Sequence, residues 1–182
     1  MRELSLNILD IAQNSIVAGA TLTEIVVNEN TKENTLLIGI YDNGCGMSEE
    51  QVENVIDPFF TTRTTRKVGM GIPLFKMSAE QTGGSFSINS EKGVGTRIEA
   101  LFKTDSIDFT PLGDIASTIV TIVSMNNDKE FLYKRVLDDK EFIFSTVEIK
   151  KILDGVPLSE PSVMNWIEEY LNEQTNELTR KE

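Results

Sequence analysis

A single change of hydrophobic period near the N-terminus constrains this chain more than any other feature. Leu4, Ile8, Ile11, Ala12 and Ile16 recur at helical spacing, and Gly19 stands where a helix stops. TEIVVNEN (23–30) and NTLLIGIYD (34–42) then read as two strands joined by a short polar turn.

The same reading extends along the chain. Ser48 is placed to cap a short helix reaching Val55. Residues 57–71, DPFFTTRTTRKVGMG, have no period and form a long loop, a length that is commonly functional. IPLFKMSAEQTGG is a helix with Pro73 tolerated in its first turn and Gly83 at its end. SFSINSEKGVGTRIEALF reads as a hairpin around Lys92–Gly95. A boundary follows at 104–111. Residues 112–126 suit a helix, although their β-branched content leaves a strand open. EFLYKRV and KEFIFS form a hairpin around Asp138 and Asp139, and Ser145 to Glu148 has a capping-box pattern before another helix. EPSVMNWIEEYLNEQ is a last amphipathic helix ahead of a charged, frayed tail.

Composition excludes several functions. The formal charge of −12 gives no basic face for a nucleic acid. The one basic cluster, Arg63, Arg66 and Lys67, suits a small phosphate ligand instead. No apolar run reaches the roughly 18 to 20 residues of a membrane span, and MRELSLNILD lacks a signal-peptide core. The lone cysteine, Cys45, agrees with a reducing compartment, so a cytoplasmic location is expected. It reads as small filler in its turn rather than as a redox sensor. There is no histidine.

Four islands carry chemistry. Asp10 and Asn14 lie one turn apart on the polar side of the first helix: a carboxylate that can orient a hydroxyl, and an amide oxygen that can ligate Mg²⁺. A solvated helix face is the plainer alternative. Asp42-Asn-Gly-Cys-Gly46 leaves an apolar strand. It is either a strand-ending turn or a carboxylate poised for the exocyclic amino group of adenine. Gly69 and Gly71 run into a helix, where exposed N–H groups and the dipole suit an anion. Gly93-Val-Gly-Thr96 is the fourth island, readable also as a plain hairpin turn.

Together and in this order the islands resemble the ATP-binding domain shared by histidine kinases, type II topoisomerases, mismatch-repair ATPases and the large heat-shock chaperone, the GHKL superfamily. LDIAQNSIVAGAT resembles its N box, DNGCGM its first glycine box, DPFFTT the kinase-style F box and VGMGIPL the second glycine box; GGSFSINSEKGVGTRIEALF resembles its closing strands. The resemblance covers residues 3–103. It implies an α+β two-layer sandwich of the Bergerat type, a mixed sheet with helices on one face, with ATP and Mg²⁺ as cofactors. It makes Asn14 the Mg²⁺ ligand, Asp42 the adenine reader and Thr96 its support. Gly44, Gly46, Met47, Gly69, Met70 and Gly71 fall in the nucleotide-approaching boxes. Residues 61–71 become a lid that brings Lys67, and Arg66 with it, near phosphate. Phe59 and Phe60 sit at the lid base, at least one of them as a core residue.

Three positions depart from the pattern. Asp10 stands where hydrolysing relatives place glutamate, one methylene longer. Val17 stands where relatives carry a charged residue, and Pro73 replaces a glycine common in kinases. With no histidine to accept phosphate and no dimerisation hairpin or transducer domain in view, the expectation is a stand-alone module at 1–105. A small α/β appendage at 107–182 follows, read as partner recognition because Val163, Trp166 and Tyr170 share a helix face. The function expected is Mg²⁺-ATP-dependent regulation of a protein partner, with a homodimer compatible. Phosphorylation in trans, in the manner of anti-sigma-factor kinases, is one form, with Asp10 positioning the hydroxyl. A non-catalytic ATP switch and slow hydrolysis are the alternatives.

Overall fold

The computed structural model describes residues 3–59 and 70–181. The chain begins with α1 (Leu4–Val17), β1 (Leu22–Asn30), β2 (Thr35–Asp42) and α2 (Glu49–Ile56), followed by α3 (Gly71–Gln81), β3 (Ser85–Glu91) and β4 (Gly95–Lys103). It continues with α4 (Ile115–Met125), β5 (Glu130–Leu137), β6 (Lys140–Ser145), α5 (Thr146–Leu153) and α6 (Pro161–Thr179).

All strands join one six-stranded mixed sheet in the order β3-β4-β2-β1-β5-β6. Neighbours are antiparallel except β1 and β5, which run parallel. Residues 107–182, expected as an appendage, therefore supply two strands to the same sheet. Parallel pairing requires a crossover, and α4 provides it. Its β-branched residues are helical because Asp114 caps it, accepting from the Ser117 N–H at 3.0 Å. Ile115, Ile119, Val120, Ile122 and Val123 are then all buried in the core. Far from α4, the turns at the other end of the sheet are tied together: Asp138 accepts from the Thr31 N–H and hydroxyl, which holds its carboxyl below the usual range.

Register explains where the core sits. One row across the inner face reads Ile88, Ile98, Ile40, Ile25, Tyr133, Phe144. The next reads Phe86, Ala100, Ile38, Val27, Arg135, Phe142. Against these rows pack Leu4, Ile8 and Ile11 of α1, Ile72 and Phe75 of α3, and Val163, Ile167 and Leu171 of α6. Trp166, expected to share a recognition face with Val163 and Tyr170, stacks on Tyr170 at 5.5 Å between centroids and stays half-exposed, while Val163 is buried.

Local differences from the sequence reading have plain causes. Ser48 and Gln51 form a full capping box on α2. Ser145 caps nothing, because it is still the last residue of β6. The neighbouring Thr146 hydroxyl instead accepts from the Phe131 N–H and binds back to β5. The tail is helical to Thr179, held by buried Leu178. Phe59 is exposed and not a core residue.

Candidate functional site

The inner-face row at one end of the sheet is polar. Ser90 pairs with Thr96, Thr96 with Asp42, and Asp42 with Thr23. The C-terminus of α1 comes down beside this row. Gly19, at φ +77°, ends that helix in a Schellman arrangement, with Gly19 N–H to the Ile16 carbonyl and Ala20 N–H to the Ser15 carbonyl. That leaves the Ala18 carbonyl free to accept from the Cys45 N–H at 2.9 Å, tying α1 to the turn after β2.

Between α1, that turn and the polar row lies a cavity of about 760 Å³, lined by Asn14, Ser15, Asp42, Gly46, Met47 and Thr96, with Ile11, Ile72 and Ile98 as apolar wall. This volume and mixture suit a small organic ligand. A second hollow of about 490 Å³ opens beside Tyr41 and Arg97. It shares Asp42 and Thr96 but no residue of α1, so the larger cavity is the candidate site. Tyr41, next to Asp42, donates to Glu99 at 2.7 Å beneath Arg97; burial and then that hydrogen bond push its hydroxyl up to about 12.

Asp42 is held from two sides. Its Oδ2 accepts the Ser15 hydroxyl at 2.7 Å and its Oδ1 the Gly44 N–H at 2.9 Å. A carboxylate has about four acceptor positions, so two remain for a ligand donor. Ser15 is buried, and the sequence reading passed it over; its signal was its place directly after Asn14. Asn43 closes the outer side of the turn, accepting from the Thr21 and Leu22 N–H groups.

The predicted residues fall into groups. Asn14, Asp42, Gly46, Met47 and Thr96 line the cavity. Gly44 does not; a Cβ there would lie 2.9 Å from that of Ala18, so it lets the turn close on α1. Gly46, at φ +67°, sits where a Cβ would collide with the Glu91 carbonyl of the hairpin. Asp10 is exposed and does not line the cavity; Gly71 abuts it, with a Cβ position 3.2 Å from that of Asp10. Met70 precedes α3 and is half-exposed. Lys67, Gly69, Arg63, Arg66 and Phe60 lie outside the described residues.

Among the described residues no group of three His, Cys, Asp or Glu side chains could hold a metal. Mg²⁺ needs fewer, because phosphate oxygens and water fill most of its shell. The Asn14 amide, facing the cavity with no side-chain hydrogen bond to another described residue, fits that role. Among the described residues no helix is long and apolar enough to cross a membrane.

A family model described as histidine kinase-, DNA gyrase B- and HSP90-like ATPase matches residues 1–106. A putative sensor protein of Shewanella frigidimarina is 31% identical over 97 residues, 52% of this chain and 15% of that protein. Sensor protein SrrB of Staphylococcus aureus is 36% identical over 101 residues, 53% of this chain and 17% of that protein. The chain thus spans about one-sixth of the length of these curated relatives. The ATPase domain of Aquifex aeolicus MutL, solved with ADP, superposes with a TM-score of 0.51 at 16% identity, covering 85% of this chain and 70% of that one. That coverage is more than residues 1–106 contain, so the likeness in fold extends into the C-terminal elements.

Proposed function

Because the chain belongs to the family of histidine kinase-, DNA gyrase B- and HSP90-like ATPases, we propose that its cavity binds Mg²⁺-ATP and that the bound nucleotide serves to regulate a protein partner by phosphorylation in trans. The observation that carries the nucleotide reading is the convergence of Asn14, Asp42 and Thr96, from three separate segments, on one cavity. Adenine lies against the polar row, its amino group on Asp42. The phosphates run toward Asn14 and the first turn of α3, whose N–H groups and dipole favour negative charge. Mg²⁺ would be held by Asn14 and would neutralise phosphate charge.

Asp10 is exposed on α1, one turn before the cavity-lining Asn14. Its carboxylate can accept a hydrogen bond from a partner's hydroxyl and orient the oxygen toward the γ-phosphorus. The phosphoryl group passes to that oxygen, the hydroxyl proton leaves to Asp10 or water, and ADP remains. No histidine occurs among the 182 residues, so a histidine acceptor would lie outside them.

A second reading has its own observation. Gly71 and Ile72 begin α3, one touching Asp10 and the other lining the cavity. A nucleotide there would bias the position of α3 and so display or hide a partner surface without chemistry.

Calorimetric titration with ATP, with and without Mg²⁺, tests the site. Asn14→Ala should weaken Mg²⁺-ATP binding about 10- to 100-fold, as loss of the protein's metal ligand would. Unchanged affinity would sink the nucleotide site. Partners captured with Mg²⁺-ATP and mapped for phosphate separate the two readings. Transfer lost in Asp10→Asn with binding intact supports the kinase, whereas ATP-dependent capture without any phosphosite supports the switch.

A further inference from the structure

We propose that Ser90 is a positioning residue that sets which purine edge the cavity accepts, by fixing the direction of the Thr96 hydroxyl. The inference rests on the nucleotide reading above and adds its specificity. Ser90 lies on the edge strand β3, directly across from Thr96 and two strands from Asp42. Its oxygen accepts the Met47 N–H at 2.8 Å, so the Ser90 proton must go elsewhere. Two acceptors are in reach: Thr96 Oγ1 at 2.8 Å and the Gly95 carbonyl at 3.1 Å.

The direction of that proton has a chemical consequence. If Ser90 donates to Thr96, the nearer of the two, the Thr96 proton cannot point back and is left to the cavity. Thr96 then faces a ligand as a donor. Asp42 beside it accepts only, its carboxylate already oriented by Ser15 and Gly44. An acceptor next to a donor is the complement of an amino group next to an unprotonated ring nitrogen, which is the N6–N1 edge of adenine. Hypoxanthine and guanine show the reverse, a carbonyl oxygen next to N1–H. If instead Thr96 donated to Ser90, both cavity groups would be acceptors and the ring nitrogen of adenine would meet no donor.

The surroundings hold Ser90 where this works. The Cys45 carbonyl accepts from Gly93 N–H at 2.7 Å, and Gly46 lies flat against the Glu91 carbonyl. The turn after β2 and the β3–β4 hairpin are thereby clamped with the Met47 N–H aimed at Ser90. A buried site built for one donor and acceptor pattern discriminates strongly against the other, because a mismatch leaves desolvated polar groups unpaired.

The test compares ATP with inosine triphosphate, which differ at this edge, by titration against the full chain. Ser90→Ala should lose about three- to tenfold in ATP affinity and none for inosine triphosphate, so the preference shrinks by that factor. Ser90→Thr keeps the hydroxyl and should keep the preference. Equal losses for both nucleotides would mean that Ser90 only supports the fold, and an unchanged ratio would equally overturn the proposal. Should Ser90→Ala not fold, Ser90→Cys carries the test. Its weak donor must lower the ratio, and a wild-type ratio there overturns the proposal as well. Wild-type protein that binds neither nucleotide would sink the nucleotide reading and this inference with it. Binding with an unaltered ratio in the variants sinks the role of Ser90 alone.

Discussion

Polar groups break the apolar inner face of the sheet at two places, and the chain treats them in opposite ways. At one end Ser90, Thr96 and Asp42 stand in a row beside a cavity. Each is anchored by a neighbour, yet Asp42 and Thr96 keep hydrogen-bonding capacity for something else. Toward the other end Arg135 sits in a row of Phe86, Ala100, Ile38, Val27 and Phe142. It is almost fully buried, with Nη2 on Glu29 at 2.7 Å and Nη1 on the Val136 carbonyl at 2.9 Å. Its Nε and the nearby Tyr133 hydroxyl have no partner among the described residues. The first group keeps polar capacity beside a cavity; the second joins β5 to β1, the seam between the C-terminal strands and the rest of the sheet.

Breaking the seam should have the largest effect. Arg135→Ala removes the partner of Glu29 and opens a cavity in an apolar row. A loss of about 3 to 4 kcal/mol in unfolding free energy is expected by denaturant titration. At temperatures where the variant is folded, ATP affinity should stay as in wild type. An equal fall in affinity would show that the two ends are coupled.

Asp42→Asn should do the reverse. The amide keeps one acceptor for Ser15 or Gly44, so stability should change by less than about 1 kcal/mol. ATP affinity should drop about 10- to 100-fold, because the charged acceptor is gone and an N–H group now faces the adenine amino group. Calorimetry reads the affinity, and an unchanged value would detach Asp42 from the base.

Tyr133→Phe gives the smallest change. The hydroxyl is buried without a partner among the described residues, so its removal at neutral pH should be neutral to within about 1 kcal/mol. The difference lies at alkaline pH. Burial raises the Tyr133 pKa, with Arg135 opposing, and Tyr41 is pushed up to about 12. The folded chain therefore keeps protons that unfolded tyrosines release near pH 10. The associated stability is complete below about pH 10 and is lost as pH rises beyond it. Tyr133→Phe should make that loss shallower, and an identical alkaline profile would contradict the burial of this hydroxyl.

Much of the candidate site was legible because its motifs are local. Asn14 follows from one helix face, Asp42 and Gly46 from one strand end and Thr96 from one hairpin, and all line the same cavity. What was missed depends on partners remote in sequence. Ser15 is an ordinary small residue until β2 brings Asp42 to it from 27 positions away. Ser90 is one serine of a hairpin until Met47 and Thr96 close around it. The capping pattern at Ser145 failed for the same reason: strand pairing with Leu132 kept that residue in β6.

The sequence by itself determined the order of helices and strands, the apolar face of each, and the residue types that suit adenine, phosphate and Mg²⁺. Those depend on period, turn chemistry and neighbouring residues, which a linear chain carries. Only the tertiary structure decided that residues 107–182 extend the same sheet and that a buried arginine fastens it. It also decided which hydroxyls orient the carboxylate and threonine of the cavity. Parallel pairing and hydrogen-bond direction depend on atoms far apart in sequence, and no local pattern encodes which of them meet.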